Sequence, residues 1–402
     1  MKRILPAFLV LLSVTPALAQ DCVGGRYRDP IFSGVQVSAP IVFGSNTGVN
    51  GVTQTLLMDV YEPADDNTIS RPVVIVAFGG SFISGSRTDV AILCQEFAKR
   101  GYVAIAPDYR VGFFALNEPS TLLAVMRGTH DLKACVRFLR RSVEEGDPWN
   151  IDPDRIIVGG VSAGAIAALH AAYLDDETEM PTALVPLSDD IGGVEGLSGN
   201  PGYSSEVAAC FSLSGAIGDT TWIDQDDVPL VSIHESGDQI VPYYTQEVLV
   251  ISQPTGVIAS GSHDIHVRLE NLGIDHCLLT YPTAGHVGYL ISDAINSTDH
   301  VFNFTANIVC EAEAYCGAEI VGVPEVGSPD NIIYPNPASD MITLGTLSSS
   351  AISIVDLHGR EVLSRAAGSS DQNFFVGDLP AGVYFLRLAE MPYSVQRLVI
   401  AR

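Results

Sequence analysis

The stretch from Arg155 to Leu174, RIIVGGVSAGAIAALHAAYL, constrains this chain more than any other. Ile156, Ile157 and Val158 form a short β-branched run closed by Gly159 and Gly160, the pattern of a strand buried on both faces of a parallel sheet. Ala165 to Leu174 is rich in alanine and leucine and predicts a buried helix. Between them stands Gly160-Val161-Ser162-Ala163-Gly164. Glycines on both sides of a serine suit a strand-to-helix reversal too tight for side chains, which lifts the hydroxyl off the sheet edge. The helix behind it points free N–H groups and the positive end of its dipole at whatever the serine attacks. In a chain with 37 glycines a bare G-x-S-x-G arises by chance, but the strand before it and the helix after it argue for a nucleophile elbow.

A serine hydroxyl attacks only when an imidazole accepts its proton and a carboxylate holds that imidazole in the right tautomer. The chain offers Ser162, Asp238 and His286 in that order, each expected in a loop after a strand, at the carboxyl edge of the sheet. His286 sits in the glycine-flanked loop Ala284-Gly285-His286-Val287-Gly288, which His276 and His300 lack. His170 falls in the helix behind the elbow, His263 and His266 at a helix start, His234 within a strand and His358 in the C-terminal segment. Asp238 competes with Asp224, Asp226 and Asp227, an acidic cluster that reads as a solvated loop, since calcium loops need a spaced ladder of ligands. No C-x-x-C pair accompanies a histidine pair, so a structural zinc site has no support, and the serine chemistry itself needs no cofactor.

Around these residues strands alternate with helices, which predicts a mostly parallel α/β sheet. VQVSAPIVFG and TQTLLMDVYEP open it as an antiparallel pair, and PVVIVAF continues it as an apolar strand ending at Gly79-Gly80-Ser81-Phe82. A run without bulky side chains at a buried strand end is where N–H groups converge on a developing oxyanion. Helices are expected from about Thr88 to Arg100 and from about Thr121 to Glu145, the second with Lys133, Arg137, Arg140 and Arg141 on its charged face. Asp175 to Ser205 is polar, glycine-rich and long, and reads as a lid or substrate-facing excursion. Phe82, Trp222 and Tyr289 are the candidates for an apolar wall of the substrate site.

Met1 to Ala19 carries Lys2 and Arg3, then ILPAFLVLL, then Ala17-Leu18-Ala19, and so reads as a secretory signal cleaved after Ala19. It is too short to span a membrane as a helix. Gln20 and Asp21 stand before Cys22 where lipidation needs small residues, so a soluble secreted or surface protein is expected rather than a lipoprotein. Seven cysteines remain, an odd number that leaves at least one unpaired, with Cys310 and Cys316 the expected pair by proximity. The net charge is -26, and Lys2, Lys99 and Lys133 are the only lysines. So acidic a surface repels nucleic acid and anionic membranes as partners and suits a salty medium.

Beyond Cys316 the composition shifts to GAEIVGVPEVGSPDN, a linker, and then to the short alternating runs DMITLG, AISIVDLHG, NFFVGDL, GVYFLRL and VQRLVI. These predict a small antiparallel β-sandwich. The expected organisation is a signal peptide over 1–19, a catalytic domain over 20–312, a linker over 313–330 and the sandwich over 331–402.

From about residue 50 to 300 the chain resembles secreted carboxylesterases of the α/β-hydrolase fold, close to the hormone-sensitive-lipase-like and the acetyl or feruloyl esterase branches. Phe78-Gly79-Gly80-Ser81-Phe82, Asp108-Tyr109-Arg110, IDPDRIIVGGVSAG, SIHESGDQIVPY and AGHVGY carry the resemblance. It implies Ser162 as nucleophile, Asp238 as acid and His286 as base, with the N–H groups of Gly80, Ser81 and Ala163 as oxyanion donors. Phe78 replaces the family's usual histidine, a change expected to loosen the oxyanion loop, and Glu235 replaces a glycine three residues before Asp238. The last 70 residues resemble the C-terminal sorting domain of type IX secretion cargo in Bacteroidetes-like bacteria. Tyr334-Pro335-Asn336-Pro337, Asp356-Leu357-His358-Gly359-Arg360 and Leu379-Pro380-Ala381-Gly382-Val383-Tyr384 carry that resemblance. It implies secretion machinery as a partner and export across the outer membrane, with later removal or surface attachment; a carbohydrate-binding sandwich is the alternative. The expected activity is a serine carboxylic-ester hydrolase acting through an acyl-enzyme on a small or polymer-borne ester, with short-acyl, aryl, acetyl, feruloyl and polyester substrates open. A serine peptidase on the same fold and a catalytically vestigial surface-binding protein are the competing readings.

Overall fold

Seven consecutive residues, Arg71–Ala77, are buried without exception, and a strand covered on both faces needs helices on either side of it. The computed structural model describes residues 22–311 except 113, 114, 116, 251 and 252, together with 333–334, 336–344, 352–355, 360–365, 373–388 and 391–401. The expected signal segment, Cys316, His358 and the expected linker lie outside the described residues. The chain divides into two units, Met1–Glu319 and Ile320–Arg402.

The first unit opens with strands β1 (Val35–Thr47), β2 (Thr53–Pro63) and β3 (Arg71–Ala77), helix α1 (Ala91–Lys99), strand β4 (Val103–Pro107) and the long helix α2 (Glu118–Glu144). The elbow region follows as β5 (Ile151–Val161) and α3 (Ala163–Tyr173), then the short α4 (Ser188–Ile191), β6 (Ala209–Leu213), β7 (Ala216–Ile217) and β8 (Leu230–Glu235). It closes with β9 (Gln246–Val250), β10 (Gln253–Gly261), α5 (Ser262–Leu272), β11 (His276–Tyr281), α6 (Tyr289–Ser292) and α7 (Ala294–Val309). Eight strands form one sheet in the order β1-β2-β4-β3-β5-β6-β8-β11. Its first two ladders, β1 with β2 and β2 with β4, are antiparallel and the rest are parallel.

Adjacent glycines on β5 show how the two helix layers are held close. A Cβ on Gly159 would lie 2.1 Å from the Phe211 ring, which packs against Phe97 of α1, whereas a Cβ on Gly160 would lie 2.6 Å from the backbone of Gly164 in α3. Successive strand residues face opposite sides, so α1 and α3 cover opposite faces of the sheet. On the α1 side, Phe97 meets Phe302 of α7 edge to face at 4.8 Å.

The segment from Asp175 to Ser205 is not a lid. Lys133 and Arg137 of α2 are buried and pair with Glu195 at 2.8 and 2.6 Å, His130 bonds the Gly193 carbonyl at 2.9 Å, and the Asn200 amide donates to the carbonyls of Phe43 and Ala134. A polar, glycine-rich composition suggested mobility, but its polar groups are spent on covering the charged face of α2. Cys310 pairs with Cys22, not with Cys316. Docking overrides proximity here: the Tyr27 N–H donates to the Arg100 carbonyl, and the Arg28 side chain reaches Asn307 of α7 at 2.9 Å. Cys277 is also disulfide-bonded, while Cys94, Cys135 and Cys210 are free and buried.

The second unit holds β12 (Ile333–Tyr334), β13 (Met341–Leu344), β14 (Ile352–Val355), β15 (Glu361–Arg365), β16 (Asn373–Phe375), β17 (Gly382–Leu388) and β18 (Met391–Ile400). They form two antiparallel sheets, β12-β13-β16 and β15-β14-β17-β18, around Ile342, Ile354, Phe374, Tyr384, Leu386 and Leu398. Among the described residues no helix is long and apolar enough to cross a membrane.

The Cys22–Cys310 bond closes a loop of 288 residues, and such closure restricts the unfolded chain. Replacing both cysteines with serine is expected to lower stability by about 2–5 kcal/mol in urea unfolding while leaving the secondary structure unchanged, as read by circular dichroism.

Candidate active site

Ser162 occupies the reversal between β5 and α3 with φ 55° and ψ −120°, a conformation that costs a residue with a Cβ of order 1–3 kcal/mol. The surroundings over-determine it. Its N–H donates to the Leu213 carbonyl at 2.8 Å, its carbonyl accepts from the Ile166 N–H at 3.0 Å, and a Cβ on Gly164 would lie 2.3 Å from the Ala77 carbonyl oxygen. Only glycine at 160 and 164 lets the first turn of α3 rest on the end of β3.

The structure brings the three residues expected to act together into one line. His286 Nε2 lies 2.8 Å from Ser162 Oγ, and His286 Nδ1 lies 2.7 Å from Asp238 Oδ2. The carboxylate can only accept, so the proton sits on Nδ1 and the Nε2 lone pair faces the serine hydroxyl. Asp238 Oδ1 accepts from the N–H groups of Ile240 and Val241 at 2.8 and 3.1 Å. His234 Nε2 stands 3.4 Å from Asp238 Oδ2 and 3.2 Å from the Val241 carbonyl, two acceptors, so it carries a proton and its Nδ1 accepts from Ser262 Oγ. Burial by itself would raise the Asp238 pKa, but hydrogen bonds from His234, His286 and the Ile240 N–H outweigh it and hold the carboxyl well below its usual range. Asp227 behaves oppositely: burial, together with Asp175, Asp224 and Glu179, pushes its pKa up to about 6.

The N–H groups of Gly80, Ser81 and Ala163 donate to no described residue. Gly80, Ser81 and Phe82 all have positive φ (125°, 55° and 58°), which curls the loop back on itself so that the Gly80 carbonyl accepts from Ile83 and Ser84. Phe78 does not leave this loop slack. Its ring stacks on Tyr109 at 4.1 Å, and the Tyr109 hydroxyl donates to the Phe78 carbonyl at 2.8 Å. The neighbours of Tyr109 fix the same strand end: Asp108 pairs with Arg87 at 2.7 Å and Arg110 with buried Asp131 at 2.9 Å.

Beside Ser162 lies an apolar cavity of about 70 Å³. Ser81, Phe82 and Ala163 border it, as do Val125 of α2 and Ile166 of α3. Of the three expected wall residues only Phe82 lines it. Trp222 stands one layer behind, against Gly218 and edge-on to His170, because the His170 ring takes the place at the cavity surface. Tyr289 is fully buried below the site, stacked on Tyr281 with its hydroxyl bonded to Ser214 Oγ and the Ile233 carbonyl. The wall missed in the sequence is the β9–β10 hairpin, which contributes Val248, Leu249, Val250, Val257 and Ala259. Its signal in the sequence is a pair of short apolar runs, Val248-Leu249-Val250 and Val257-Ile258-Ala259.

Residues 58–194 match the BD-FAE family model. Those residues, about a third of the chain, make up a BD-FAE domain. Residues 332–401 match the secretion system C-terminal sorting domain, which makes the second unit a type IX sorting domain. The BD-FAE match includes Ser162 and stops short of Asp238 and His286. The esterase LipC of Mycobacterium tuberculosis is 31% identical over 146 residues, 35% of this chain and 33% of that protein. The quorum-quenching protein AidA of Acinetobacter baumannii is 25% identical over 131 residues, 32% of this chain and 40% of that protein. The chain thus spans less than half the length of these relatives. Among solved structures, Thermogutta terrifontis esterase 2 phosphorylated by paraoxon aligns at a TM-score of 0.48 and 21% identity, covering 68% of this chain and 93% of that one.

His170 gives the BD-FAE domain a pH dependence of its own. Burial pushes its pKa down to about 4 from 6.5, although its hydrogen bond to the Ile166 carbonyl works the other way. Between these values the unfolded chain binds a proton that the folded protein refuses, so the contribution is complete above pH 6.5 and is lost as pH falls towards 4. The urea midpoint of the wild type is expected to drop across that window, and that of His170→Leu to drop less.

Proposed function

We infer that this protein is an exported serine carboxylic-ester hydrolase working through an acyl-enzyme on Ser162. The observation that carries the reading is the unbroken hydrogen-bonded line from Ser162 Oγ through His286 to Asp238. His286 Nε2 takes the hydroxyl proton as Oγ attacks the ester carbonyl, and Asp238 stabilises the imidazolium that results. Negative charge develops on the carbonyl oxygen, for which the N–H groups of Gly80, Ser81 and Ala163 are the available donors. His286 then hands its proton to the departing alcohol and draws another from water; the hydroxide so formed attacks the acyl carbon, and His286 returns the proton to Ser162 Oγ as the bond to the serine breaks and the acid leaves.

The same geometry supports reading the cavity as the place of the acyl group. The leaving oxygen must lie within reach of His286, yet His286 does not border the cavity, whereas Ser162, Ala163 and Ser81 do. The group that stays on the serine therefore fills it. Its 70 Å³ has room for on the order of five water-sized positions, which suits acetyl to butyryl chains. The sorting domain and the N-terminal signal pattern support delivery to the cell surface or beyond.

With p-nitrophenyl esters, kcat/KM is expected to fall more than tenfold from butyrate to decanoate, and Ser162→Ala to lower turnover of the acetate by more than about 10³-fold without altering the fold. Hydrolysis of aminoacyl anilides in preference to esters would instead favour a peptidase.

A further inference from the structure

Glu235 stands where the related pattern has glycine, and its side chain is buried under the loop that carries His286. Its Oε1 accepts from Thr283 Oγ1 at 2.8 Å and its Oε2 from the Gly288 N–H at 3.1 Å. The two oxygens thus hold both ends of the stretch Thr283-Ala284-Gly285-His286-Val287-Gly288. The contact is close along its length, since a Cβ on Gly285 would lie 2.4 Å from Oε1. The backbone of Glu235 serves the acid loop at the same time, its carbonyl accepting from the Asp238 N–H at 3.1 Å.

The loop needs such a clamp because of Val287. With φ 53°, this β-branched residue sits in the left-handed region immediately after His286. A free loop would relax there and turn the imidazole away from Ser162. Tyr289, one residue past the clamp, anchors the far side through its hydroxyl on the Ile233 carbonyl at 3.1 Å.

We propose that Glu235 is a positioning residue for the base: its two carboxylate oxygens tether the ends of the strained 283–288 loop and thereby hold His286 Nε2 at hydrogen-bonding distance from Ser162. The proposal rests on the esterase reading. A displacement of about 1 Å between reacting groups is enough to cost on the order of 100-fold in rate.

The test compares Glu235→Ala, Glu235→Gln and Thr283→Val in the full-length protein, with p-nitrophenyl acetate as substrate and a fluorophosphonate taken to completion to count competent serines. Glu235→Ala is expected to lower kcat per titrated site about 10- to 100-fold with KM changed less than threefold. Glutamine should restore most of it, because its oxygen can accept from Gly288 while its amide donates to Thr283 Oγ1. Thr283→Val, which cuts one tether, should fall between, and it decides the matter if the alanine variant does not fold. A merely structural role would reduce the number of titratable sites and leave kcat per site unchanged. The proposal is overturned if kcat per site of the folded variants stays within twofold of wild type, or if glutamine is as defective as alanine. A wild-type protein that neither labels nor turns over the ester would sink the esterase reading itself.

Discussion

The contact on which the rest depends is the meeting of α3 with the end of β3. Gly160 and Gly164 let two backbones approach to a distance that no Cβ would permit, and that approach forces Ser162 into its strained conformation. Strain there is useful. It projects the hydroxyl from the strand end, and it leaves the N–H of Ala163 at the start of the helix without a partner among the described residues. The conformation survives because the Leu213 carbonyl accepts the Ser162 N–H, the Ile166 N–H of α3 donates to the Ser162 carbonyl, and the end of β3 packs directly against Gly164.

The remaining site parts are set by the same logic of strained loops on rigid supports. The loop after β3 carries three consecutive residues with positive φ and is fastened by the stacking of Phe78 on Tyr109 and by the Tyr109 hydroxyl on the Phe78 carbonyl. The 283–288 loop carries Val287 and donates hydrogen bonds to Glu235 from both ends. The acid is the least strained of the three, since two backbone N–H groups and two imidazoles surround its carboxylate. In each case a buried polar group, fully partnered, fixes a functional backbone.

Local patterns made the elbow, the main parallel strands and the order Ser162, Asp238, His286 legible in the sequence, because each rests on residues within one strand and the turn after it. What escaped depends on contacts between distant segments. Composition marks Asp175 to Ser205 as a lid or substrate-facing excursion, but only the fold reveals that Glu195 meets the two buried cations of α2. Proximity favoured Cys310 with Cys316, whereas the docked N-terminal lead brings Cys22 within bonding distance. Trp222 and Tyr289 were placed on the substrate wall for being aromatic and near the site, yet their rings fill the layer behind it. The β9–β10 wall shows as two short apolar runs, but nothing local says that it folds over the serine.

The central claim is that Ser162 forms a covalent acyl intermediate under the control of His286. Rapid mixing with p-nitrophenyl acetate, followed by acid quench and mass analysis of the peptide containing Ser162, tests it most directly. The account predicts a burst approaching one nitrophenolate per protein and an acetyl group on Ser162. Turnover with no adduct, or with the acetyl group on another residue, would contradict it.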